Sequence, residues 1–93
     1  MTAGSPAASG TPAVYFASDY GTEDEFVGVV HAVLHRFAPG VPVIDLAHEI
    51  PAFDVAAGAD LLLRCRPALG SGVVLAVVDP GVGSARRAVA LRT

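Results

Sequence analysis

The sequence has 93 residues, 53% of them apolar, and a formal net charge of −3. That suffices for one small domain with a modest core, is too apolar for a disordered chain, and is short for a complete α/β enzyme with strands covered on both faces. The six basic residues are all arginine and half of them fall in the last eight positions, so no basic stripe is available for nucleic-acid phosphates, and no continuous apolar run approaches the ~20 residues of a membrane span.

Residues 1–12 are Ala, Gly, Ser, Thr and Pro after the initial Met, a composition expected to form a flexible tail. The opening MTAGSPAASGTPA has neither the basic nor the apolar region of a secretory signal. Ala13–Ala17 reads as a first strand ending in the polar turn Ser18-Asp19-Tyr20-Gly21. Thr22 with Glu25 predicts a capping box, and Glu23 and Asp24 suit the positive end of the helix that follows. In that helix Phe26, Val29, Val30, Val33, Leu34 and Phe37 form one stripe expected to face the core, with Asp24, Gly28, His31 and His35 on the opposite, solvated side. Pro39-Gly40 ends it. Val41–Ala47 predicts a second strand that stops at His48, Glu49 and Pro51. Asp54 is placed to cap a second helix over about Val55–Arg66, with Gly58 as a weak point inside it.

The single cysteine, Cys65, lies in the apolar pattern of this second helix and reads as a buried structural thiol, which fits a reduced, cytoplasmic setting. Val73–Val78 is β-branched and continuous, as in a strand buried on both faces. It ends at Asp79-Pro80-Gly81-Val82-Gly83, and Arg87–Arg92 alternates as a fourth strand. The order β-α-β-α-β plus a following strand predicts a three-layer α/β domain with a mostly parallel sheet. In such a sheet Ser18-Asp19, His48 and Asp79 share the carboxyl rim, where α/β folds place ligands. Two carboxylates and a histidine there are compatible with metal binding, acid/base work or a hydrogen-bonding pocket. The His31/His35 pair has zinc-like spacing but no HExxH pattern, so a solvated face is the better reading. Arg86 and Arg87 are adjacent and would point to opposite sides, so at most one reaches the rim.

Four segments carry a resemblance in order and spacing: Ser18–Gly28 (SDYGTEDEFVG), Ile44–Ile50 (IDLAHEI), Phe53–Ala59 (FDVAAGA) and Val77–Arg87 (VVDPGVGSARR). Over Val14–Leu91 they resemble the N-terminal domain of the S-adenosylmethionine hydroxide adenosyltransferase family, relatives of the fluorinating and chlorinating enzymes. The resemblance implies a Rossmann-like domain and a reaction in which activated water attacks the ribose C5′ of S-adenosylmethionine, releasing adenosine and methionine. It implies no metal and no cofactor, S-adenosylmethionine being the substrate. By position, it implies that Asp19 holds the ribose hydroxyls, Asp24 receives the methionine ammonium and Phe53 packs on the substrate, where some relatives have Trp. Asp79 and Arg86 match two members of an Asp-Arg-His set that orients and activates the water. Arg86 would keep Asp79 ionised.

The third member of that set and the C-terminal domain fall beyond Thr93, and His48, within its own motif, is not assigned the role. The resemblance further implies a homotrimer with sites between subunits when the protein is full length, and a 93-residue chain that is a fragment inactive alone. The alternatives are a non-catalytic binding or assembly fragment, a halogenase, and a metal-dependent phosphohydrolase built on Asp19 and Asp79. The halogenase ranks low, because halide-using relatives lack the Asp-Arg pair and an anion is a poor neighbour for Asp79.

Overall fold

The computed structural model describes residues 11–78 and the strand formed by Val89–Arg92. The tail expected over residues 1–12 therefore lies, except for Thr11 and Pro12, outside the described residues, as do Asp79 and Arg86. The elements run β1 (Ala13–Ser18), α1 (Phe26–Phe37), β2 (Val43–Ala47), α2 (Val55–Cys65), β3 (Gly72–Val77) and β4 (Val89–Arg92), with one 3₁₀ turn, Arg66–Ala68, after α2. The sheet order is β2-β1-β3-β4; β1 pairs parallel with both β2 and β3, and β4 closes antiparallel on β3.

Alternation along β1 separates the two faces. Tyr15 packs with Val74 and Ala13 against Leu62 of α2, while the neighbouring Phe16, fully buried, meets His31 of α1 at 6.2 Å between ring centroids. The helices thus cover opposite faces, giving the three layers expected from the sequence. The core is small. In β3 only Val74 is fully buried, so the double burial expected for Val73–Val78 is reached at one position, its neighbours being half-covered.

Three local expectations are corrected. Thr22 does not cap α1: its hydroxyl donates to Glu49 Oε2 at 3.1 Å, the N-cap is Glu25 without a side-chain bond, and Asp24 Oδ1 accepts the Phe26 N–H at 3.2 Å. A hydrogen-bond partner across the rim outcompetes the local box. The α1 stripe is also turned. Val27, Val30, His31 and Leu34 are the half-buried positions, while Phe26, Val29, Val33 and Phe37 stand exposed, Phe37 at 78%. His31, expected in solvent, is half-buried, with Nε2 2.9 Å from a carboxylate oxygen of Asp45 on β2. Finally, Gly58 is a close approach and not a weak point, since a Cβ there would lie 3.1 Å from Val78 Cγ2.

Asp54 caps α2 as expected, accepting the Ala57 N–H at 2.8 Å, whereas Cys65, expected to be buried, is a free thiol that is only half-buried. Among the described residues no helix is long and apolar enough to cross a membrane. At the start of β3, Gly72 has φ +144°, and a Cβ would overlap the Ala13 carbonyl oxygen across the β1–β3 pair. Gly72→Ala is expected to cost upwards of ~3 kcal/mol, because steric overlap adds to a backbone conformation closed to L side chains. Chemical denaturation of the two chains side by side measures it.

Candidate active site at the sheet rim

The carboxyl ends of β1, β2 and β3 are stitched together by backbone bonds. Asp19 N–H donates to Val77 O at 3.0 Å, Gly21 N–H to His48 O at 2.7 Å, and Ile50 N–H to Ser18 O at 3.3 Å. Gly21 turns at φ +75°, which frees the chain to leave β1 toward β2. Ser18-Asp19 and His48 therefore share one rim, as the sequence predicted, and β3 delivers Val77 and Val78 to the same edge. The expected third member, Asp79, and its partner Arg86 lie outside the described residues.

Below the turn runs a polar chain. Ser18 Oγ lies 2.6 Å from His48 Nδ1, His48 Nε2 lies 2.8 Å from Asp45 Oδ1, and His31 Nε2 lies 2.9 and 3.0 Å from the two Asp45 oxygens. Ser18 and His48 are buried, at 0% and 6% exposure, and the His48 ring meets Phe16 edge-on at 4.5 Å. Asp45 is half-open to solvent. Its partial burial pushes the carboxyl up, yet hydrogen bonds and charge from His31 and His48 outweigh that and hold it below the ordinary aspartate range. Reading the sequence for rim residues passed over Asp45 and His31. A charge interrupting the apolar strand Val43–Ala47, three residues before a histidine, was the available signal.

The other expected ligand residues stand at the same rim. Asp24 is exposed at the entry of α1, beside Tyr20 and Phe26, whose rings approach to 5.8 Å. Phe53 is 58% exposed in the turn between β2 and α2, with φ +65°. A bulky side chain in the left-handed region costs of order 1–3 kcal/mol and occurs mostly where a surrounding constraint or a function requires it. Among the described residues no three His, Cys, Asp or Glu side chains are grouped to hold a metal ion.

Phe53→Gly is expected to raise thermal stability while weakening any ligand that packs on this ring, because the backbone strain and the aromatic surface are removed together. Phe53→Ala should keep the strain and lose only the surface. Paired melting and ligand-titration curves distinguish them, and a destabilised Gly variant would remove the strain from the account.

Three parallel strands with one antiparallel edge strand, and helices on both faces, define a small α/β domain of the Rossmann-like kind. The sequence model of the SAM hydroxide adenosyltransferase N-terminal domain matches residues 14–93, and the chain belongs to that family. It is 59% identical over 78 residues to the (R)-S-adenosyl-L-methionine hydrolase of Thermus thermophilus, covering 83% of this chain and 31% of that protein. With the hydrolase of the same name from Salinispora tropica it shares 52% over 81 residues, 87% of this chain and 31% of that one. A fluorinase from an Actinoplanes species is 35% identical over 86 residues, 91% of this chain and 29% of the enzyme. The fold is similar, at TM-score 0.72 and 54% identity, to a crystal structure of a conserved hypothetical protein from Thermus thermophilus, covering 83% of this chain and 33% of that one. The chain thus spans about a third of the length of these relatives.

Proposed function

We propose that this chain supplies the N-terminal part of a site that hydrolyses S-adenosyl-L-methionine to adenosine and L-methionine. The observation that carries the reading is the 59% identity to a hydrolase of that name, against 35% to a fluorinase. In this reading residues 13–93 are the N-terminal α/β domain, preceded by a tail over residues 1–12. The sulfonium is already a good leaving group, so the protein has chiefly to align and activate water behind C5′ and to exclude bulk solvent.

Asp19 accepts hydrogen bonds from the ribose hydroxyls, a two-point task a carboxylate suits. Asp24 faces the methionine ammonium and Phe53 covers the substrate, its exposure and strained backbone supporting that role. Asp79, kept ionised by Arg86, polarises the attacking water. S-adenosylmethionine is substrate, with no metal or cofactor in the step, in a cytoplasmic setting. Phe26, Val29, Val33 and Phe37, exposed on α1, support an assembled protein, the homotrimer implied by the family resemblance.

The test is a graft in which this chain replaces the aligned third of the Thermus thermophilus hydrolase. Adenosine and methionine should appear in equal amounts, undiminished by strong chelator. Release that stops on chelation would favour a metal-dependent hydrolase instead, and halide-dependent formation of a 5′-halo nucleoside would favour the halogenase.

A further inference from the structure

With a neutral His48 the polar chain below the rim has one self-consistent set of proton positions. A carboxylate only accepts, so the ring nitrogens facing Asp45, Nε2 of both His31 and His48, carry the hydrogens. In a neutral His48 this leaves Nδ1 as an acceptor, and Ser18 Oγ, 2.6 Å away, donates to it. The serine oxygen in turn accepts the Tyr20 N–H at 3.2 Å. Protons therefore point one way, from the Tyr20 amide through Ser18 and His48 to Asp45. Ser18 is fully buried and so is no nucleophile for a substrate.

We propose that His48 is a positioning residue. Its ring fixes the side chain of Ser18, and its carbonyl takes the Gly21 N–H, so the turn that carries Asp19 out of β1 leaves in one direction only. Asp45 and His31 hold the ring from behind, fixing its tautomer and its tilt against Phe16. The consequence for binding rests on the assignment of Asp19 to the ribose: a carboxylate fixed in advance does not have to be ordered by the substrate. Left unpaired, a buried Ser18 hydroxyl would seek another partner and the turn would have several orientations.

Two isosteric halves of histidine separate this from a merely structural role. In His48→Asn the amide oxygen takes the place of Nδ1 and accepts from Ser18, giving up Asp45. In His48→Gln the amide nitrogen takes the place of Nε2, donating to Asp45 and abandoning Ser18. In the 93-residue chain, nitrogen-15 spectra should show the neutral tautomer of His48 carrying its proton on Nε2. Hydrogen exchange at the Tyr20 and Gly21 amides should stay slow in His48→Asn and accelerate about tenfold or more in His48→Gln and His48→Leu, as expected when a buried bond of ordinary strength is lost.

In the graft, His48→Gln should raise KM for S-adenosylmethionine about tenfold at nearly constant kcat, with His48→Asn rescuing most of it. A proton on Nδ1, or exchange that does not distinguish Asn from Gln, overturns the proposal. So does a KM raised by Asp19→Ala but unmoved by His48→Gln. If Asp19→Ala itself leaves KM unchanged, the ribose assignment is what fails, and the exchange pattern still decides whether His48 holds the turn.

Discussion

Asp79→Asn and Arg86→Ala, introduced separately into the graft, are expected to lower turnover by about 30-fold to 1,000-fold while leaving KM for S-adenosylmethionine nearly unchanged. Both residues are assigned to the water and not to the nucleoside, so their loss is felt in the transition state, where a charge-assisted bond is worth about 2–4 kcal/mol. Asparagine keeps the shape of Asp79 but cannot polarise water as an anion does. Asp19→Ala should behave in the opposite way, with binding lost first. Steady-state kinetics on the three variants separate the roles, and an Asp79→Asn enzyme with undiminished kcat would take that residue out of the mechanism.

The 93 residues assayed by themselves are expected to release no measurable adenosine, and to self-associate. On the proposed function, a chain that spans a third of its relatives would supply only part of the site, so water would be neither excluded nor held in line with the C–S bond. The exposed row Phe26, Val29, Val33 and Phe37 is a contiguous apolar surface that other chains can cover only by adhering to it. The measurement is adenosine release across a concentration series, with light scattering on the same samples, repeated with the separately expressed remainder of the Thermus thermophilus protein. Steady hydrolysis by a monodisperse monomer would refute the reading.

The layers and the rim were legible because they rest on periodicity and on turn chemistry. Val14–Phe16 and Val73–Leu75 are apolar and β-branched or aromatic enough to be strands in any context, and Asp54 caps α2 through a bond to Ala57 that is local in sequence. What escaped was decided by long-range partners. Thr22 had a plausible neighbour in Glu25 but found Glu49, 27 residues away. Of the expected α1 stripe, Val30 and Leu34 do face inward, but the covered face is completed by Val27 and His31, the latter on Asp45, and not by Phe26, Val29, Val33 and Phe37. The chemistry of the rim was legible only in part for the same reason. Asp19 and His48 announce themselves at strand ends, while Asp45 acts through partners that the sequence does not place beside it.

The central place of β1 in the sheet bears on how the chain is made. Both of its neighbours are downstream, so the first strand to leave a ribosome has no parallel partner until β2 and then β3 have followed. The bond from the Gly70 amide to the Tyr15 hydroxyl, 2.8 Å long, joins residues 55 apart and can form only after β1, α1, β2 and α2 have all been made. Loop-closure entropy is met before these pairings repay it, so the rate-limiting barrier should lie at the docking of β3 and not in either helix. Until then the most buried strand of the finished domain is an open edge, Val14-Tyr15-Phe16-Ala17, the kind of segment molecular chaperones bind.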